Sequence, residues 1–304
     1  MVCNSDSHTL RLPFLFFLAS VLALNVCNAQ SSEGTQEPDP FTLYSPPNAV
    51  TYKNLKSALS SKDKVYNLNL TNSDLEPKLW AKVGKLRDLQ VLKLGFNHLS
   101  VLPEDFGNFS SLLYFSSKGN GFNAWPKTTG NWSSIMQIDL EDTRLDSLPA
   151  EIGNWSRLKT FEIQNNSDTL SLPSSFGFLN ALTDVLIFQT TLRPLPSAFS
   201  NLDNLRSLTL VSCGLKTLPA GVAQLKNLTE LILDNNGLER LPLGIYHLKN
   251  LNYLSIRNNK FSKLSEHICY LKNLSKLDVR GNSLDQSQIE TIKALLPGCQ
   301  VIWK

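Results

Sequence analysis

The chain is short of the residues that chemistry uses most. Of its 304 residues only 5 are cysteine, 4 histidine and 2 methionine. Cys3 and Cys27 lie at the extreme N-terminus, and Cys213, Cys269 and Cys299 are too few and too scattered for a disulfide framework. Stability must then come from an apolar core. Charged residues make up 18%, with 29 Lys+Arg against 26 Asp+Glu and a net charge of +3, so there is no electrostatic case for nucleic acid or anionic lipid. His98, His247 and His267 follow no zinc spacing, no phosphate-cradling glycine loop occurs, and no nucleophile has a base in a defined setting. We therefore expect no catalytic residue, no metal and no cofactor.

Long hydrophobic runs are also missing. The longest, residues 12–26, falls short of the roughly 20 residues that span a bilayer, so no membrane span is expected. It follows Arg11 and precedes Cys27-Asn28-Ala29, which together read as a secretory signal peptide over residues 1–29, cleaved after Ala29. A secreted, extracellular or periplasmic protein follows. A lipid anchor at Cys27 is the weaker alternative, because Val26 is bulkier than that processing site prefers. Residues 30–48 are polar and proline-rich and predict a flexible linker.

What the chain has in excess is leucine, 55 residues. That density in one residue type means a repeated core position. From Leu89 the spacing Leu89, Leu92, Leu94, Asn97, Leu99, Leu102, Pro103 appears, and it recurs with first positions at Leu112, Ile135, Leu158, Leu182, Leu205, Leu228, Leu251 and Leu274. A looser copy starts at Val65, giving about ten units over residues 65–285. The Leu-x-Leu alternation has the period of two of a strand, which points the leucines inward and the residues between them to solvent. Proline after the last leucine turns the chain into the opposite side of each unit. The asparagine slot (Asn97, Asn120, Asn166, Asn236, Asn259, Asn282) stands where the chain leaves the strand, and a buried amide there can satisfy backbone groups that lose their ladder partners. Thr143, Thr190 and Cys213 take the same slot, which gives Cys213 a structural role.

These units, ending in segments such as Leu148-Pro149-Ala150-Glu151-Ile152-Gly153, resemble the leucine-rich repeat family, in its 23-residue Leu-Pro class. The resemblance implies an α/β repeat solenoid, a horseshoe with a concave parallel β-sheet and an irregular, short-helical convex side. It also implies a protein that binds rather than reacts. The paired cysteines that commonly flank such repeats in animal and plant extracellular proteins are absent, which points to a bacterial exported protein. Thr51 is expected to open an N-terminal capping helix within residues 49–64, bearing Leu55, Ala58 and Leu59. Residues 286–304 read as a C-terminal cap of helix plus strand, as solenoids require. Pairing of Cys269 with Cys299 is open at this level.

Recognition should be written in the outward residues of the concave sheet, which can vary without harming the solenoid. Asp139, Glu141, Glu162 and Asp184 form an acidic stretch, continued by Glu230 and Asp234. Leu186, Phe188, Val211 and Ile232 place four apolar side chains beside it on a face expected to be wet, with Phe188 as its anchor. Arg257, with Lys276 and Arg280, forms a basic end, and Tyr253 stands on the same concave face. An apolar centre between charged flanks suits a protein interface. The expected partner is a protein. The alternatives are a glycan-binding or envelope-associated module, for which only Tyr114 and Tyr253 offer concave aromatic rings, and an inhibitor of a secreted hydrolase. Plant polygalacturonase inhibitors share the export and repeat number, but their Gly-x-Ile-Pro signature is missing here.

Overall fold

Twelve short strands pair side by side, all parallel and each beside the next in chain order, in the computed structural model, which describes residues 39–304. The expected signal peptide, and residues 30–38 of the expected linker, lie outside the described residues. Strand β1 (Thr51–Tyr52) and β12 (Gln300–Ile302) flank one strand per repeat. These are β2 (Asn67–Asn69), β3 (Val91–Lys93), β4 (Tyr114–Lys118), β5 (Gln137–Glu141), β6 (Thr160–Gln164), β7 (Asp184–Phe188), β8 (Ser207–Val211), β9 (Glu230–Ile232), β10 (Tyr253–Ser255) and β11 (Lys276–Asp278). Ten repeats and their alternation are therefore as the sequence predicts.

Side-chain period decides what each strand contributes. Val185 and Ile187 of β7, like Leu208 and Leu210 of β8, point inward and are fully buried. Ser117, the polar exception, is also buried, and its hydroxyl accepts a bond from Asn120 Nδ2 at 2.9 Å. After each of β3 to β9 a proline leads into a five-residue 3-10 helix on the convex side, as Pro149 leads into Ala150–Asn154 and Pro173 into Ser174–Phe178, and Ser265 takes that place after β10. The glycine of these turns has a packing reason. A Cβ on Gly177 would lie 2.1 Å from the Ala198 carbonyl oxygen of the next repeat.

The asparagine slot works as a ladder. Asn236 Oδ1 accepts from the backbone N–H groups of Cys213 and Leu215, and its Nδ2 donates to the carbonyls of Leu210, Leu233 and Asp234. Cys213 fills the equivalent place one repeat earlier. Its thiol lies 3.3 Å from the Ile187 carbonyl, and burial pushes its pKa up to about 12, so it serves as a weak donor and not as a nucleophile. Trp132 and Trp155 are core residues, stacked 6.0 Å apart, with their indole N–H groups donating to the carbonyls of Phe106 and Thr129.

Three local features differ from expectation. Thr51 belongs to β1, and the capping helix runs over Leu55–Ser60, because the Asn54 side chain accepts from the N–H groups of Lys56 and Ser57 and caps it there. The first repeat carries a true α-helix, Pro77–Val83, in place of a 3-10 turn. The third difference is the largest. Residues 39–48, the second half of the expected flexible linker, are folded against the sheet, beginning with a single helical turn at Pro40–Leu43. At the other end the cap is as expected, a helix over Gln286–Leu295 followed by β12 beside β11.

Candidate functional site

The concave face is built from three outward rows, because residues that pair in register on parallel strands stand side by side. The middle row runs from Lys93 through Ser116, Asp139, Glu162, Leu186, Thr209 and Ile232 to Ser255 and Asp278. The fourteen residues singled out from sequence, from Asp139 to Arg280, stand on or just after strands β5 to β11.

Their exposure is not what alternation alone predicts. Leu186, Phe188, Val211 and Ile232 are buried, Phe188 to 1% exposure, although they stand on the outward side. Leu186 is in register with Glu162 and Thr209, and Phe188 with Gln164 and Val211, at a strand spacing of about 4.8 Å, where large side chains cover one another. Exposed chemistry is carried instead by the half-buried Glu141, Glu162, Asp184, Glu230, Tyr253 and Arg257.

The charge blocks also look different in three dimensions. Lys118 reaches Asp139 and Glu141, 3.4 Å from each, so the acidic stretch contains its own counter-ion. Burial works against the Lys118 charge, but Asp139, Glu141 and Glu162 outweigh it and hold its pKa above the ordinary value. At the basic end Arg280 grips the buried Asp278, with contacts of 3.0 and 2.5 Å, and Arg257 stands 3.9 Å from Asp278 and 4.0 Å from Asp234. Much of the expected positive patch is thereby neutralised.

Between these networks Asp184 and Glu230 are desolvated, with Arg206 and Lys276 as their cationic neighbours. Burial raises the pKa of Asp184, Glu230 and Asp234 above their ordinary values, against bonds from Thr183, Ser207, and Ser255 and Arg257, respectively, that favour the charged form. Glu230 Oε1, Asp139 Oδ1 and Thr209 Oγ1 are buried without a hydrogen-bond partner. Each such atom costs stability. The sign for a raised carboxyl is that its contribution is fully present below its ordinary value, 4.5 for Glu230, and is lost as pH rises through the folded value. Glu230→Gln should therefore stabilise the fold by about 1 kcal/mol at pH 7. Thermal melts should show that gain shrinking as pH falls through the raised folded value and gone below 4.5; a variant no more stable than wild type at pH 7 would remove the assigned cost.

Residues 39–48 occupy the face at β2 to β5. Tyr44 stacks on Tyr114 with ring centroids 5.8 Å apart, and its hydroxyl donates to Gln137 Oε1 at 2.9 Å. Lys93 lies 4.8 Å from the Phe41 ring centroid and 3.8 Å from Asp39. Ser45 bonds to Asn67. Sequence reading missed this contact, because the segment lies outside the repeat and so has no register. One ring face of each concave tyrosine is taken, by Tyr44 stacked on Tyr114 and by Lys276 4.7 Å over Tyr253.

Cys269 and Cys299 are free thiols lining one crevice beneath the C-terminal cap. Among the described residues no group of His, Cys, Asp and Glu side chains is arranged to hold a metal, and no helix is long and apolar enough to cross a membrane.

A family model described as "Leucine-rich repeat region" matches residues 185–298, and one for a single leucine-rich repeat matches residues 88–109. No curated protein sequence matches the chain. Among solved structures, the leucine-rich repeat domain of the type III effector XopL is 23% identical with a TM-score of 0.63, over 82% of this chain and 87% of that one. The Drosophila Toll–Spatzle complex matches at 23% identity and TM-score 0.67, over 74% of this chain and 31% of that one. The plant peptide hormone receptor RGFR1 in complex with RGF2 matches at 24% identity and TM-score 0.58, over 74% and 37%. This chain spans about a third of the latter two. At these identities the likeness concerns the fold alone. With the repeat in sequence and the parallel solenoid in space, the chain is a leucine-rich repeat protein. That fold commonly mediates protein–protein binding, and the family is generally non-catalytic.

Proposed function

We propose that this is an exported, non-catalytic protein that binds a protein partner through its concave sheet, over β5 to β10. The observation that carries the reading is the set of desolvated carboxylates there. Burial works against the charges of Asp184 and Glu230 on this face, and Glu230 keeps an unpartnered oxygen. A surface that spends stability on charge is one suited to recognition. The chemistry fits a partner that brings hydrogen-bond donors and positive charge to Glu162, Asp184 and Glu230, over the close-packed floor of Leu186 and Ile232. XopL, Toll and the peptide hormone receptor share the architecture, and the last two are in complexes, Toll with Spatzle and the receptor with RGF2.

The test is capture from the producing organism's surface and medium, with wild type against a Glu162→Lys/Asp184→Lys variant of verified melting temperature. A protein held by wild type and lost by the variant supports the reading; capture indifferent to the change removes it. Export is checked separately, by N-terminal sequencing of the chain recovered from the medium, which should begin at Gln30.

A further inference from the structure

Residues 39–48 are attached to the concave face in an unusual way. The strap's hydrogen bonds, ion pair and ring contacts with the sheet run through side chains: Asp39 and Phe41 on Lys93, Tyr44 on Tyr114 and Gln137, Ser45 on Asn67. Its backbone bonds stay inside the strap, from the N–H groups of Thr42 and Leu43 to Asp39, of Tyr44 to Pro40 and of Ala49 to Pro46. None of the residues of its helical turn is buried. Backbone pairing with the solenoid begins only at Thr51, opposite Asn67. Asn48, at a φ of 64°, marks the bend before that strand. Such a strap can leave without unmaking any part of the sheet or the core.

What it would uncover is a set of groups with defined chemistry. Lys93 supplies a cation, Tyr114 a ring face, Gln137 an acceptor and Asn67 an amide, on four neighbouring strands. A ligand matching them carries an acid, an aromatic ring two residues later and a tyrosine three residues after that.

We infer that the concave face at β2 to β5 is a binding surface for a short linear peptide of a partner protein, of the pattern Asp-x-Phe-x-x-Tyr-Ser, and that residues 39–48 fill it in cis until such a peptide displaces them. This rests on the reading of the concave face as the partner surface, and extends it from β5–β10 to the N-terminal strands. A tethered strap has an effective concentration in the millimolar range, so a free peptide competes only when it binds more tightly or when the strap is weakened. Binding is thereby gated by strap release.

The probe is a fluorescent peptide with the sequence of residues 39–48, titrated into the full chain. A strap-weakened variant, Phe41→Ser/Tyr44→Ser, should bind it saturably and at least tenfold more tightly than wild type. Lys93→Glu or Gln137→Ala added to that variant should remove most of the gain, and light scattering should show the variant still monomeric. No saturable binding by the variant, or equal binding by wild type, overturns the inference; so does a strap-exchanged dimer of wild type, which would make a second copy the occupant. Because backbone pairing with the sheet starts only at Thr51, beyond the strap, the variant should melt close to wild type. Hydrogen exchange on wild type gives an independent reading: the Thr42, Leu43 and Tyr44 amides should exchange at least a hundredfold faster than those of β4 to β8, and protection equal to the strands would also overturn it. Failure here leaves the carboxylate surface of β6 to β9 untouched, since that is tested by its own charge reversal.

Discussion

Asn97→Ala is expected to cost the fold roughly 3–5 kcal/mol, far more than its size suggests. Asn97 is buried at 6% exposure, and its Nδ2 donates to the carbonyls of Leu70, Leu94 and Gly95 while its Oδ1 accepts from the N–H groups of Ser73 and Asp74. Five backbone groups in two repeats would lose a partner, and each buried unsatisfied group costs about 1–3 kcal/mol, though not additively. Thr143 occupies the same slot with fewer bonds, its hydroxyl donating to Asn166 Oδ1 alone. Thr143→Ala should then cost only about 1 kcal/mol. Denaturant unfolding of the two variants side by side checks the ordering; equal losses would mean that the slot acts through shape and not through its hydrogen bonds. Repeats contact only their neighbours, so exchange rates in Asn97→Ala should rise first in the N-terminal units.

Reversing two concave charges should have the largest effect on binding. With Glu162→Lys/Asp184→Lys, affinity for the true partner should fall by about a hundredfold or more, or some 2.7 kcal/mol, because like charges across a contact repel and the attraction they replace is lost. Glu162 and Asp184 are both half-buried and stand on adjacent strands, with Glu162 beside Leu186 in register. Much of the loss should appear in the association rate and shrink at high salt, as expected of long-range attraction. Titration calorimetry or surface binding at two ionic strengths would show this. An affinity that does not change would place the partner elsewhere on the solenoid.

These predictions rest on features that were unequally legible in the amino-acid sequence. The repeat spacing carried a great deal: strand positions, the inward leucines, the asparagine slot and the structural role of Cys213 all follow from the period. The reason is that a solenoid turns long-range contacts into a fixed sequence offset. Neighbours 23 residues apart are neighbours in space, so register can be read directly.

Where the period gives no information, only the tertiary structure decided. Residues 39–48 belong to no repeat, and the docking of Tyr44 on Gln137, 93 positions away, depends on which side chains happen to meet across the sheet. The burial of Phe188 could not be read from alternation, which assigns a side to each residue but not how fully its neighbours cover it. Nor could the charge blocks be weighed in one dimension. Arg280 and Asp278 are two residues apart, and their closure into a bonded pair, with Arg257 beside it, turned an expected basic end into a largely neutral one. The sequence by itself determined the solenoid and the side on which each residue stands, because periodic hydrophobicity fixes both. Exposure, charge pairing and the strap were settled by three-dimensional packing, because each depends on distances between side chains that the repeat does not constrain.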